Sequence, residues 1–117
     1  MRIAIYRLAL LLTVFYAVQA NAETFVEICE AEGETPVACE CADEALSSEI
    51  NSREMQLYIE VRLLHQMNLD DGTGTQDAWV NAAVEVAAGT GIGVGDVFEN
   101  ANRVDAAHRN AVAACLN

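Results

Sequence analysis

The segment from Cys29 to Cys41, CEAEGETPVACEC, constrains the fold of this chain most. It contains three of the four cysteines, and the fourth, Cys115, lies close to the C-terminus. Two disulfide bonds among these residues would join the front of the chain to its end. A chain of this size buries only a modest core, so such cross-links are expected to supply part of its stability.

The first residues of the chain predict a cleaved signal peptide, residues 1–22. Arg2 and Arg7 precede the apolar run LALLLTVFYAV, residues 8–18. Small and polar residues follow this run and lead to a predicted cleavage between Ala22 and Glu23. The run is shorter than the about 20 apolar residues of a membrane-spanning helix, so no stable membrane insertion is expected after cleavage. We therefore expect a periplasmic or secreted protein, in a compartment that favours disulfides.

The remaining segment, residues 23–117, is short enough to be a single acidic domain. It has four arginines, no lysine and eighteen carboxylates, which give a formal charge of −14. This charge argues against nucleic-acid binding and against binding to anionic lipids. The lack of lysine excludes Schiff-base chemistry and a Walker-type phosphate loop. The acidity indicates either a solubility device or a basic partner, which would be a protein or a metal ion.

Apolar residues recur at helical spacing and predict an all-α fold, a small bundle of four to five helices stapled by two disulfides. The first helix is short, with Thr24 as N-cap, and Gly33 ends it. A second helix is predicted after Thr35 and Pro36, which suit the cap and the first helical position. The third is apolar over a broad face and is expected to be the central helix. Its two stripes are Ile50, Leu57, Val61 and Leu64, and Met55, Ile59, Leu63 and Met67.

Polar and turn-forming residues predict the ends of the third and fourth helices. Ser48 is a candidate cap for the third helix, which is expected to end near Leu69 before a glycine-containing turn. Thr75 or Asp77 is predicted to cap the fourth helix, which stops at Gly89.

The glycine-rich segment GTGIGVG, residues 89–95, is interpreted as a loop that precedes the last helix. Asp96 and Glu99 match the spacing of a capping box, with Asp96 as the cap. The apolar residues that follow are spaced alternately four and three apart, which predicts one buried face. The positions of this stripe are Val97, Ala101, Val104, His108, Ala111 and Cys115, of which only His108 is polar.

The helix faces also select a disulfide pairing. Cys41 and Cys115 both fall on predicted core-facing stripes and can meet where the last helix packs on the second. Cys39, at the edge of its apolar face, is left for Cys29. We therefore predict the bonds Cys29–Cys39 and Cys41–Cys115, with Cys29–Cys41 and Cys39–Cys115 as the alternative. Loop-closure entropy is worth about 3 kcal/mol for the short loop and roughly 4–5 kcal/mol for the long one, so losing Cys115 is expected to cost more stability than losing Cys29.

Two histidines are the candidate polar residues of a site. His108 interrupts an apolar stripe, where a histidine is usually a core residue with one hydrogen-bond partner and otherwise a ligand or an acid–base group. His65 lies near the end of the third helix and could approach His108 only in one helix register. Together with a carboxylate the two would form a copper or zinc site.

Other chemical motifs are weak. Cys39 and Cys41 could form a redox pair, but their spacing is not that of a CxxC motif, and a helix would point the two sulfurs far apart. No nucleophile elbow and no HExxH motif occurs. We therefore predict no catalytic residue, no resident metal and no cofactor.

The sequence favours a non-enzymatic interaction protein of the inhibitor, immunity or adaptor type with a basic protein partner. Its export, small size and charge support this hypothesis. Two alternatives remain: a periplasmic metal-handling protein that uses His108 and His65, and a protein that exchanges thiols and disulfides at Cys39 and Cys41.

Overall fold

The structure is a computed structural model that describes residues 25–116, and these residues form five helices and no strand. The all-α prediction is confirmed. The predicted signal peptide and the proposed Thr24 cap lie outside the described residues. The helices are α1 (residues 25–31), α2 (Pro36–Ser47), α3 (Ser52–Asp70), α4 (Thr75–Thr90) and α5 (Val94–Leu116).

The turn between α1 and α2 has the predicted residues in the predicted roles. Gly33 has a positive φ of 96°, which is costly for a residue with a side chain. Thr35 is the N-cap of α2, and its Oγ1 accepts a hydrogen bond from the Ala38 amide at 3.2 Å. Pro36 occupies the first turn, where its missing N–H costs no helical hydrogen bond.

The helix α3 begins with a different cap from the one predicted. Asn51 is the N-cap, and its Oδ1 accepts from the Glu54 amide at 2.9 Å. The prediction for Ser48 was wrong because its hydroxyl instead donates to the Ala45 carbonyl at 2.9 Å, at the end of α2. The predicted end near Leu69 is within one residue of the observed end at Asp70.

The helix α4 also begins earlier than its polar residues suggested. Gly74 is the N-cap and makes no side-chain hydrogen bond, so Thr75 and Asp77 lie inside the first turn and the cap prediction was wrong. At its other end the helix continues past Gly89 to Thr90, whose hydroxyl donates to the Val86 carbonyl at 2.7 Å.

The loop predicted for residues 89–95 is reduced to residues 91–93. Gly91 has a left-handed φ of 76° and ends α4, whereas Gly89 and Gly95 are helical. Because α5 begins at Val94, Asp96 lies in its first turn and is not the cap, contrary to the prediction. The Val97 amide donates to the Gly93 carbonyl at 3.0 Å, which sets the start of the helix one turn before Val97.

The core consists of three apolar clusters. One lies between α3, α4 and α5, and a second joins α1, α2, α3 and α5 around Tyr58. The smallest surrounds the buried Cys29 and Cys39. The helix α3 contributes to both larger clusters, as expected of a central helix.

The broad apolar face predicted for α3 is only partly covered. Leu57, Ile59 and Val61 are buried, but Leu63 and Met67 are 45% and 59% exposed. The outer part of the second predicted stripe therefore faces solvent. Within residues 25–116, none of the helices combines the length and the apolarity needed to cross a membrane.

Candidate functional site

The two predicted disulfides are present. Cys29–Cys39 has a Cα–Cα distance of 5.7 Å and Cys41–Cys115 one of 6.0 Å, so the alternative pairing is wrong. The burial that led to the prediction is reversed, because Cys39 is fully buried and Cys41 is exposed. Cys39 and Cys41 belong to different bonds, and no cysteine among the described residues is free.

His108 is a buried residue of α5 and is 2% exposed. Its Nε2 lies 3.5 Å from Glu32 Oε2, and its ring makes an edge-on contact with Phe25 at a centroid distance of 5.1 Å. Its Nδ1 is buried and has no hydrogen-bond partner among the described residues. Glu32 is therefore the carboxylate that faces this histidine, at ion-pair distance.

His65 lies in a different environment, on α3 beside the Trp79 ring at a centroid distance of 5.1 Å. Burial lowers the pKa of His65, and the positive charge of Arg62 lowers it further, while a hydrogen bond with the backbone of Thr75 opposes this shift. His65 and His108 thus have different neighbours. Within the part of the chain that is described, no three His, Cys, Asp or Glu residues are placed to hold a metal ion.

Two groups of interacting polar side chains lie between α1, α3 and α5. In the first, Arg62 donates to Glu32, which also faces His108. In the second, Tyr58 Oη donates to Asp105 Oδ1 at 2.8 Å, and the Arg109 guanidinium forms an ion pair with Asp105 Oδ2 at 2.9 Å. Burial raises the pKa of the Tyr58 phenol, and the Asp105 carboxylate raises it further.

The second polar group borders a cleft of about 320 Å³ between α3, α4 and α5, which we call the arginine cleft. Trp79 lies in its wall, and the indole Nε1 donates to Asn102 Oδ1 at 2.9 Å. Its lining is Arg62, His65, Thr75, Gln76, Trp79, Val80, Phe98, Asn102, Asp105 and Arg109.

An apolar groove of about 460 Å³, the α3–α4 groove, contains the exposed part of the predicted α3 stripe. Its apolar residues are Leu63, Leu64, Met67 and Val86, and its charged residues are Glu60 and Glu85. A second groove of about 250 Å³, the α1–α3 groove, begins on the other side of Leu63 and contains Ile28, Ala31 and Glu27.

Sequence reasoning identified Leu63 and Met67 as apolar but assigned them to the core, and it did not single out Arg62, Tyr58, Asp105 or Arg109. One local signal was present: Tyr58 and Arg62 are four residues apart and share one face of α3. Their partners, Asp105 and Glu32, are distant in sequence.

Comparison of the chain with protein-family models, with curated proteins and with solved structures yields no significant match.

Proposed function

We propose that this chain is an exported, non-enzymatic binding protein whose α3–α4 groove binds a basic amphipathic helix of another protein. The observation that supports this most is the combination of exposed apolar side chains and carboxylates in one groove. Leu63 and Met67 offer apolar contact area, and Glu60 and Glu85 flank them with negative charge.

The chemistry of the groove specifies the charge of the partner. No arginine lines the α3–α4 groove, and neither Glu60 nor Glu85 forms an ion pair within residues 25–116. The carboxylates are therefore available to lysine or arginine side chains of a partner. An acidic partner would be repelled both here and by the net charge of the domain.

The shape of the groove favours a helical partner. Leu63 and Met67 are four residues apart and lie on one side of α3, so a second helix can place its own apolar residues between α3 and α4. Methionine adapts its side chain to irregular partner surfaces, which suits such a contact. The α1–α3 groove extends the same apolar surface past Leu63, with Glu27 at its edge.

The acidic surface extends well beyond the groove. Residues 25–49, which form α1, α2 and the connections around them, contain eight carboxylates and no arginine, lysine or histidine. A surface of this sign accelerates the approach of a basic partner and makes association dependent on salt. The two disulfides hold α1, α2 and α5 together, which reduces the ordering needed on binding.

Export remains part of this proposal. Two disulfides fit an oxidising compartment, and we place the protein in a periplasm or outside the cell after cleavage between Ala22 and Glu23. The intact mass of protein expressed with its leader should correspond to residues 23–117 with two disulfides. A mass that includes the leader would contradict the cleavage.

A designed peptide tests the proposed groove. A helical peptide with a leucine face and a lysine face should bind, with an affinity that falls as salt is added, whereas its glutamate counterpart should not. The double variant Glu60→Gln, Glu85→Gln should weaken lysine-peptide binding by about 0.5–2 kcal/mol in total.

A charge-matched variant provides the control. Glu40→Gln, Glu99→Gln changes the net charge equally at two exposed positions that do not line the groove. It should leave most of the affinity intact. Equal weakening by both double variants, equal binding of both peptides, or no binding of the lysine peptide would overturn the proposal.

A further inference from the structure

The arginine cleft differs in charge from the grooves elsewhere on the molecule. Two of the four arginines outside the predicted signal peptide, Arg62 and Arg109, line it together with a single carboxylate, Asp105. Carboxylates outnumber arginines in the α3–α4 groove, in the α1–α3 groove, and in a pocket whose lining includes Glu32, Glu34, His108 and Arg109. Arg62 is paired with Glu32, which does not line the cleft, so Arg109 is the arginine whose exposed N–H groups a ligand can reach there.

The one carboxylate in the cleft is already paired. Asp105 accepts a hydrogen bond from Tyr58 at 2.8 Å and forms an ion pair with Arg109 at 2.9 Å, so its charge is largely compensated. The Arg109 side chain is nevertheless 76% exposed, and a guanidinium has five N–H donors. Arg109 can therefore donate to a ligand while it keeps its contact with Asp105.

The apolar part of the cleft lining is partly fixed. Trp79, Val80 and Phe98 line it. The hydrogen bond from Trp79 to Asn102 and the edge-on contact with His65 restrict the indole ring. The cleft volume of about 320 Å³ is at the small end of the range of about 300–1,000 Å³ for ligand pockets.

We propose that the arginine cleft binds a small aromatic monocarboxylate. The ligand carboxylate accepts hydrogen bonds from Arg109 at the polar side, and its ring packs against Trp79. The first turn of α4 contributes Thr75 and Gln76 to the cleft, so the positive end of that helix dipole also favours an anion.

The charge of the whole domain limits the ligand to a single negative charge. Carboxylates elsewhere on the surface repel every anion, and a doubly charged phosphate is repelled about twice as strongly. The apolar wall adds favourable contact only for a ligand with a ring or similar apolar body. The arginine cleft shares no lining residue with the α3–α4 groove.

The only tryptophan of the chain reports directly on this cleft, because it is Trp79. Titration of the full exported protein with benzoate should give a saturable change in tryptophan fluorescence. Benzamide, which has the same shape without the charge, should bind about tenfold more weakly or worse. Benzylamine and inorganic phosphate should give no saturable change.

Two arginine variants locate the carboxylate. Arg109→Gln should weaken benzoate binding about tenfold or more, since it removes a charge-assisted hydrogen bond. The matched control is Arg103→Gln, which removes another exposed arginine of α5 that pairs with Glu54 and does not line the cleft. The affinity of the Arg103→Gln variant for benzoate should stay close to that of the unchanged protein.

The inference is overturned if benzoate gives no saturable response, if benzamide or phosphate binds as tightly, or if Arg103→Gln weakens benzoate binding as much as Arg109→Gln. Both arginine variants should unfold at temperatures close to that of the unchanged protein, because both side chains are more than half exposed. A change in affinity can then be assigned to the cleft.

Discussion

His108 Nε2 lies 3.5 Å from Glu32 Oε2, and the other oxygen of the same carboxylate accepts a hydrogen bond from Arg62. Glu32 directly follows α1, so this one side chain connects that helix to α3 and α5. Arg62 and His108 are both largely shielded from water, with side-chain exposures of 17% and 2%. The Glu32–Arg62 ion pair is therefore better shielded from water than an ordinary surface ion pair.

Replacing Glu32 by glutamine should lower the free energy of unfolding by about 1–2 kcal/mol, because the partly buried Arg62 would lose its charged partner. Urea or thermal unfolding would measure this loss. Glu30→Gln is the matched control, since Glu30 is exposed and forms no ion pair among the described residues. Similar values for the two variants would show that Glu32 makes no specific contribution.

Tyr58 should resist ionisation in the folded protein. Burial raises the pKa of its phenol above the ordinary value of 10.0, and the Asp105 carboxylate raises it further. The neutral form therefore stabilises the fold below pH 10, and this stabilisation is lost as the pH rises towards the folded-state pKa.

A spectrophotometric titration can follow this single residue, because the other two tyrosines lie in the predicted signal peptide. Phenolate absorbance should appear only as the protein unfolds in alkali. Reversible ionisation near the ordinary value, with the fold intact, would contradict the buried hydrogen bond to Asp105.

The two disulfides should differ in their accessibility to reductant. Cys29 and Cys39 are fully buried, whereas Cys41 is exposed and Cys115 is half-buried. A mild thiol reductant should therefore open Cys41–Cys115 first, since exchange requires attack on an accessible sulfur. Alkylation followed by peptide mass mapping would identify the bond that opens. Labelling of Cys29 and Cys39 before Cys41 and Cys115 would contradict this order.

His65 should remain neutral to a lower pH than an ordinary histidine. Burial and then the charge of Arg62 lower its pKa from 6.5, so its contribution to stability is present above that pH and is lost as the pH falls through the folded-state pKa. Since His65 contacts Trp79, tryptophan fluorescence should change with a midpoint below pH 6.5. His65→Gln should remove this transition, and a midpoint at or above 6.5 would contradict the shift.

The disulfide pairing could be predicted from the sequence, although the supporting argument about burial was wrong. The observed buried face of α2 includes Ala38, Ala42 and Leu46, with Cys39 beside it. The sequence argument included Val37 in that face, but Val37 is 78% exposed. Alanine gives little guidance here because it favours the helix at any position and its small side chain adds little apolar area to either face. The larger Val37 therefore shifted the predicted buried face.

The helix ends show why local signals were insufficient in the second half of the chain. Glycine permits a loop but does not require one. In the segment 89–95, Gly89 and Gly95 are helical, and only Gly91 adopts the left-handed conformation, which ends α4. Asp96 matched a capping box, yet the helix starts before it. Packing of α4 and α5 through the Val86 and Val97 cluster favours the longer helices.

The candidate sites depend on the relative placement of helices, which sequence periodicity does not specify. The arginine cleft requires Arg62, Trp79 and Arg109 to meet from three helices. The α3–α4 groove exists because α4 covers only part of the apolar face of α3. The apolar residues of that face could be identified from the sequence. The sequence did not indicate that Leu63 and Met67 would remain exposed.

The central claim is that the partner contacts Leu63 in the groove. Site-specific photo-cross-linking in the exporting cell would test it, with a photoreactive amino acid at position 63 and, as control, at position 84. Leu63 and Val84 are almost equally exposed, at 45% and 46%, but only Leu63 lines the groove.

We predict that position 63 yields an adduct with a basic protein and that the cross-linked segment is an amphipathic helix rich in lysine or arginine. Position 84 should yield no adduct. Equal cross-linking from both positions, an acidic partner, or an adduct with a second copy of this chain would contradict it.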